Sequence, residues 1–197
     1  MKKTISFVRT SIPADLFKKE YALGGLTIYH LDEQLNVEMN AYECWECSVR
    51  SGEYTQDEVM AAFEEFKAKL AASELATAKA QKIAEIDAYD TSDAVNGFIL
   101  NGQRVWLDFG LRDRVYQGNE RLQRIGRTDT TLWLGKQCYN LSIEQAQNII
   151  SHIEAYAKDC YNVTASHKKA VSELTNIEEV EKYDITAGYP AQLKMEV

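Results

Sequence analysis

The sequence predicts an α+β protein with a small N-terminal β-rich domain, a long connecting helix and a C-terminal α+β domain with two hairpins and a long helix. Three observations predict this class. Apolar and polar residues alternate before position 50, good helix formers follow without interruption, and hairpin and helix signals mix from Asp90 onward. We place the domains at residues 1–54, 55–89 and 90–197.

The bulk composition limits the classes of function. The chain has 197 residues, of which 45% are hydrophobic and 26% charged, enough for a real core. Its net charge of −8 argues against nucleic acid and anionic membranes as partners, since both need clustered Lys and Arg. Polar residues interrupt the first 17 positions, so we predict no signal peptide. No window approaches about 18 uninterrupted apolar residues, so we predict no membrane span, and four cysteines without an export signal suit a reducing compartment.

The N-terminal part reads as short strands. We predict a strand at 4–9, a turn at 23–25, and a hairpin whose loop is 32–34 and whose second strand is 35–50. Alternation predicts that one parity of this last strand is buried. Those residues are Leu35, Val37, Met39, Ala41, Trp45, Cys47 and Val49. The exposed half of the strand could add to the sheet edge of a partner.

Cys44 and Cys47 have the spacing of zinc knuckles and redox dithiols. Residues three apart on a strand point to opposite faces, so we expect Cys44 in solvent and Cys47 in the core. A zinc site would also need a second cysteine pair or a histidine pair, and a redox site would open a helix. We favour two ordinary free cysteines over either functional site.

A capping box of Thr55 and Glu58 predicts the start of a helix that continues to Tyr89. Its first apolar stripe is Val59, Phe63, Phe66 and Leu70, and a weaker second stripe is Leu75, Ala78, Lys82, Ile86 and Tyr89. The thinned apolar face favours a connector over a core element. A linker helix is favoured over a coiled coil, which would need a sustained heptad.

The C-terminal part begins with Asn101-Gly102 between apolar runs, a strong hairpin signal. A polar helix at 111–126 and a second hairpin turning at Gly135-Lys136 follow. Ser142 and Gln145 form a capping box for a long helix. Its predicted inner face is Ile143, Ala146, Ile149, Ile150, Ile153, Ala157 and Cys160. A short acidic helix after Asn176 and an irregular tail complete the chain.

We find no constellation strong enough to carry a reaction, and we predict no catalytic residue, metal site or cofactor. The three histidines, His30, His152 and His167, are interpreted as structural. Two sets of acidic residues could act as paired carboxylates, namely Glu43 with Glu46 and the run Glu178, Glu179 and Glu181. A catalytic pair needs a shielded site that separates the two pKa values, and the sequence indicates none. The basic cluster of Arg112, Arg114, Arg121, Arg124 and Arg127 is interleaved with Asp113, Glu120 and Asp129, which favours ion pairs within a solvated helix over nucleic-acid binding.

Aromatic residues say more about possible binding sites than the histidines and charged residues do. Most are expected in the core, but any that stay exposed are natural anchors for a protein partner, where Trp, Tyr and Arg dominate the binding energy. The predicted protein-binding residues are Trp106, Arg112, Trp133, Tyr183 and Tyr189.

A spread-out pattern between Lys82 and Pro190 carries a family resemblance. Its residues are Ile86, Tyr89, Asp90, Ser92, Val95, Asn96, Phe98, Gly102, Trp106, Leu107, Arg112, Tyr156, His167 and the closing segment 183–190. This half resembles an uncharacterised domain family of bacteriophage and prophage tail-fibre-associated proteins from Bacteroides-type hosts. The overall layout is also similar to that of tail-fibre assembly chaperones. The resemblance implies a phage context and no active-site residue.

The first functional hypothesis is a non-enzymatic tail-fibre-associated protein, an assembly chaperone or fibre-tip partner that covers apolar strands before the fibre trimerises. The second is a structural virion component, a small tail or head fibre protein that oligomerises through the helix 55–89. An enzyme such as a host-wall hydrolase is third. The expected partner is a tail-fibre or other virion protein, and the expected location is the host cytoplasm during assembly, or the virion.

Overall fold

The structure, a computed structural model, describes residues 4–50, 52–134 and 136–197. It confirms the predicted fold class, with a β-rich N-terminal region, a long helix and a C-terminal α+β region. The chain divides into two compact units, Met1–Ser73 and Glu74–Val197, and the boundary falls inside the long helix.

Unit 1 is a four-stranded antiparallel sheet covered on one face by the start of a helix. The elements are β1 Val8–Pro13, β2 Glu20–Leu23, β3 Leu26–Asn36, β4 Ala41–Arg50 and α1 Gln56–Asp90. The strand order is β1-β4-β3-β2. Tyr29, Leu31, Cys47 and Val49 form one buried face of the sheet and pack with residues of α1.

The hairpin of unit 1 turns later than the alternation predicts. The turn is 37–40, and residues 32–34 lie inside β3, where the register with β4 shifts between Leu31 and Gln34. Asp32 and Asn40 have positive φ angles of 54° and 47°, which these residue types tolerate better than most. The predicted strand 35–50 is therefore confirmed only over Ala41–Arg50, and Leu35, Val37 and Met39, predicted as buried, are exposed.

The position of β4 in the sheet overturns a second expectation. Along residues 41–46, β4 is hydrogen-bonded to β1 on one side and to β3 on the other, so this part of its backbone has no free edge, whereas residues 47–50 pair with β3 alone. Residues 41–46 cannot add to the sheet of a partner, since strand addition needs unpaired backbone groups. The edges of this sheet are β1 and β2. The first strand, Val8–Pro13, overlaps the predicted strand 4–9 only at Val8 and Arg9.

The helix α1 begins at the predicted capping box. The Thr55 backbone N–H donates to Glu58 Oε2 at 2.8 Å, and the Glu58 N–H donates to Thr55 Oγ1 at 3.2 Å. Each of the two predicted apolar stripes contributes buried residues to a core. Val59 and Phe63 are fully buried in unit 1, and Ile86 is fully buried in unit 2 against Val171 and Val180. The helix is therefore a core element at both ends, contrary to the expectation from its thinned apolar face.

Unit 2 combines short sheets with the predicted long helix. Its further elements are β5 Phe98–Leu100, β6 Gln103–Val105, α2 Phe109–Arg124, β7 Asp129–Leu134, β8 Gln137–Ser142, α3 Ile143–Glu173, α4 Ile177–Glu181 and β9 Lys194–Met195. Both predicted hairpins are present, β5-β6 and β7-β8. Asn101 and Gly102 turn the first with φ angles of 49° and 76°. Gly135, predicted in the second turn, lies outside the described residues.

Two features of unit 2 position the sites described below. The predicted inner face of α3 is buried, apart from half-buried Ala157, and packs on apolar residues of β5, β7 and β8. The strand β9, which the sequence pattern did not indicate, pairs in parallel with β5. The end of the chain is therefore part of the unit.

Candidate functional site

The cysteine pair of β4 is buried on the two faces of its sheet. Cys44 and Cys47 lie on opposite faces of a continuous strand, as predicted, but both are 0% exposed, so the expectation that Cys44 faces solvent is wrong. Burial raises the pKa of both thiols, that of Cys47 to about 11. Thiols that stay protonated at neutral pH are poor nucleophiles and poor metal ligands.

The second face of this sheet is covered by the β1–β2 connection. Phe17 stacks on Tyr42 with ring centroids 4.2 Å apart and also contacts His30. Nδ1 of His30 donates to the Lys18 carbonyl, and Nε2 lies 3.2 Å from Glu46 Oε2. His30 is 4% exposed, so its contacts are internal to unit 1.

The strongest candidate site is a groove between α2 and α3 of about 430 Å³. We call it the α2/α3 groove. Its lining residues are Phe109, Arg112, Asp113 and Tyr116 from α2, and Ile150, Ser151, Glu154, Ala155 and Lys158 from α3. The helical periodicity places these residues on one face of each helix. Phe109 is 67% exposed and Tyr116 38%, so the groove presents aromatic surface to solvent.

Arg112 is the buried charge of this groove, at 6% exposure. Its Nε donates to Glu154 Oε2 at 2.7 Å, and its Nη1 donates to the Leu107 carbonyl at 2.6 Å. The guanidinium carbon lies 5.5 Å from the centre of the Trp106 ring and 5.9 Å from that of Phe109. These contacts fix the guanidinium between two helices and two aromatic rings.

The basic cluster thus divides into two kinds of residue. Arg124 pairs with Glu120 at 3.8 Å along α2, which confirms an ion pair within the helix, whereas Arg127 lies beyond the end of α2 and pairs with Asp129 at 3.0 Å. For Arg112 that prediction is wrong, because its partner is on α3. No local pattern marked Glu154, which faces α2 only after the two helices pack.

Tyr183 and Tyr189 contribute to a second cluster, which fastens the closing segment 183–190 to α3. Nε2 of His167 donates to the Ala187 carbonyl at 2.8 Å, so Nδ1 is free to accept from the Tyr183 hydroxyl at 2.9 Å. Thr164 Oγ1 donates to Asp90 at 2.6 Å and lies 2.8 Å from the Tyr189 hydroxyl. Both tyrosines are half-buried, so their principal contacts are internal.

The two predicted tryptophans differ in exposure. Trp106 follows β6 and is half-buried under Arg112. Trp133 is 63% exposed on the outer face of the β7-β8 ribbon, opposite the exposed Cys138. The structure therefore brings Trp106 and Arg112 together at the α2/α3 groove and places Trp133 on another surface. Phe109, Tyr116 and Lys158 of the groove were not singled out from the sequence. Phe109 precedes the predicted helix 111–126, and it shares a helix face with Tyr116 only because the observed helix begins at Phe109.

Among the described residues, no cluster of three His, Cys, Asp or Glu side chains has a geometry that could hold a metal ion. No helix in the described ranges combines the length and apolar character of a bilayer span.

No protein-family model, curated protein or solved structure matches this chain.

Proposed function

We propose that this chain is a bacteriophage tail-fibre-associated protein that acts without catalysis, as an assembly chaperone or fibre-tip partner. The phage context rests on the resemblance of residues 82–190. The observation that supports a binding role is the α2/α3 groove, where exposed Phe109 and Tyr116 flank the buried Arg112. Aromatic and arginine side chains around a partly shielded pocket are the usual composition of a binding hot spot.

The role fits the physical problem of fibre assembly. A fibre exposes apolar strands and unpaired edges before it trimerises, and these surfaces aggregate if nothing covers them. A chain with a net charge of −8 stays soluble while its groove holds such a segment. In this proposal the protein works in the host cytoplasm during assembly, or remains on the virion.

The test is co-expression of this chain with each trimeric fibre protein encoded in the same genome, followed by measurement of the soluble fibre trimer. We expect the yield to rise with the wild-type chain and to fall back with Phe109→Ala. The matched control is Tyr161→Ala, which removes an aromatic ring that is 69% exposed on α3 outside the groove. Equal yields with and without the chain for every fibre would contradict the proposal.

A further inference from the structure

The helix α2 has a polar residue at each of its buried positions. The structure describes all of Phe109–Arg124, and the buried side chains of this helix are Arg112 and Asn119, seven positions apart on one face. Its apolar contact with the core comes from half-buried side chains such as Val115. The buried face of α3, by contrast, is largely apolar. Burial of apolar surface therefore contributes little to holding α2 in place.

The side-chain amide of Asn119 adds a cost to this packing. The residue is 3% exposed, and its Nδ2 is buried without a hydrogen-bond partner among the described residues. Buried polar groups are nearly always paired, because an unpaired donor loses its hydrogen bonds to water and gains none in exchange. If α2 leaves the core, water solvates this amide again. Asn119 therefore favours separation of α2 from the core, relative to an apolar residue at the same position.

The ion pair of Arg112 is also a weak tether. Nε of Arg112 donates to Glu154 Oε2 at 2.7 Å, and the guanidinium is buried while the carboxylate side chain is 48% exposed. A buried ion pair adds little net stability, because the cost of removing the charges from water offsets most of their attraction. Both groups regain full hydration when the helices separate. The pair sets the position of α2 on α3 more than it strengthens the contact.

A glycine weakens the helix itself. Gly118 lies inside α2, and a Cβ atom at this position would meet nothing within 4 Å. Packing therefore does not require glycine here, although glycine in a helix interior is less stable than alanine because it loses more backbone entropy on folding. The chain leaves the helix through Gly126, whose φ of 82° ends it. Buried polar residues and an interior glycine thus act in the same direction.

We propose that α2 is a detachable cover, which opens as a unit while the rest of unit 2 stays folded. Val115 packs on a core cluster that includes Leu132 of β7 and Ile150 of α3, so opening exposes apolar side chains of that cluster to solvent. Segments that open locally in this way are drawn from the least stable parts of a fold. As regulation, the cover rests on the proposed function, since it controls when apolar surface becomes available to a fibre segment.

The test is native-state hydrogen exchange of the ¹⁵N-labelled full chain, followed by two-dimensional NMR at low urea concentrations. We expect the central amides of α2 to exchange at least about tenfold faster than those in the centre of α3. Their exchange should also depend less on urea, because local opening exposes less surface than unfolding of the whole unit. Equal rates and equal urea dependence in the two helices would overturn the inference.

Two variants change the opening equilibrium in the closed direction. Gly118→Ala should slow exchange in α2 by roughly fourfold through helix propensity, without altering a core contact. Asn119→Leu should slow it by about tenfold, because it removes the unpaired donor and keeps a branched side chain. The matched control is Asn162→Ala at an exposed position of α3, which should leave α2 unchanged. Unchanged exchange in Gly118→Ala, or equal slowing in α2 and α3, would contradict a separately opening helix.

Co-expression separates the cover from the fibre assignment. With a fibre that responds to the wild-type chain, Gly118→Ala should reduce the gain in soluble trimer, since the open form is less populated. An unchanged gain would overturn the regulatory role. The exchange experiment contains no fibre, so separate opening of α2 with failed co-expression would overturn the fibre assignment alone. Successful co-expression without separate opening would overturn the cover alone.

Discussion

At the residue scale, the two cysteines of β4 show how burial lowers the reactivity of a thiol. Cys44 and Cys47 alternate across the sheet, and each face is covered, one by α1 and the other by the connection that carries Phe17. Both thiols are inaccessible, and their pKa values are raised. Cys44 and Cys47 have a spacing that occurs in zinc and redox sites, but here they pack as two small apolar side chains, one on each covered face of the sheet.

Replacing either buried thiol by a hydroxyl should destabilise unit 1. We expect Cys44→Ser and Cys47→Ser each to lower the free energy of unfolding by about 1–3 kcal/mol, because a hydroxyl without a partner is buried in an apolar layer. Urea denaturation followed by tryptophan fluorescence measures this. Cys138→Ser, at an exposed position, is the control and should change stability by less than about 0.5 kcal/mol. Stoichiometric zinc in the purified protein would contradict the structural interpretation.

The raised pKa of Cys47 also predicts a dependence of stability on alkaline pH. Its pKa rises from 9.0 to about 11 on folding. Between these values the unfolded chain loses the thiol proton and the folded chain keeps it, so the contribution of this thiol to stability is constant below about pH 9 and falls toward pH 11. One such group contributes a slope of about −1.4 kcal/mol per pH unit.

Urea midpoints between pH 8 and 11 measure this slope. Cys47→Ala should be less stable at pH 8 but lose less stability on going to pH 11. The remaining slope is expected from Cys44, Cys160 and Tyr156, whose pKa values burial also raises, that of Tyr156 to about 12. An unchanged slope in Cys47→Ala would contradict the assignment.

At the element scale, α1 serves two cores with one continuous helix. Its first half buries Val59 and Phe63 in unit 1, and its second half buries Ile86 in unit 2. A helix with two separate apolar stripes has a weak overall amphipathic pattern, although each half is amphipathic by itself. The division of the stripe at the unit boundary explains why the sequence favoured a connector.

This arrangement predicts that core deletions in α1 act on different units. We expect Phe63→Ala to cost about 3–5 kcal/mol and to remove hydrogen-exchange protection from β3 and β4 while α3 stays protected. Ile86→Ala should cost about 2–5 kcal/mol and affect α3 and α4 in the same experiment. Glu74→Gln, at an exposed site on the same helix, is the control. Loss of protection in both units for both variants would contradict two separate cores.

The closing segment 183–190 is the second informative element. His167 binds it through Tyr183 and the Ala187 carbonyl, and Asp90 joins it through Thr164 and Tyr189. Many residues of the spread-out pattern between Lys82 and Pro190, including Tyr89 and Tyr156, lie in this cluster or in the apolar group beside it. The pattern therefore corresponds to packing and hydrogen bonding that hold the segment on α3.

At the scale of the whole molecule, the two functional hypotheses differ in the mass of the assembly. A chaperone that covers a fibre segment is expected as a monomer or dimer, whereas a fibre component closes into a symmetric oligomer. We expect size-exclusion chromatography with light scattering to give one or two copies of the 22.4 kDa chain. Three or more copies would favour a virion component that assembles through α1, and would count against the chaperone hypothesis.

The sequence by itself determined the features that depend on neighbours along the chain. The capping boxes of α1 and α3, the Asn101-Gly102 turn and the inner face of α3 follow from local hydrogen bonding and from helical or strand periodicity. The residues that make up each of these signals lie within a few positions of each other along the chain. They were sufficient for the α+β class and for most element positions.

Only the tertiary structure decided which faces are covered and which distant residues meet. Burial of Cys44 depends on the segment around Phe17, the pairing of β9 with β5 joins the end of the chain to its middle, and Arg112 finds Glu154 on another helix. Periodicity marks a face as apolar or polar but carries no information on a partner far along the chain. The groove between α2 and α3 exists only after that packing, so local patterns indicated Arg112 and its neighbour Trp106 but not the groove that Arg112 lines.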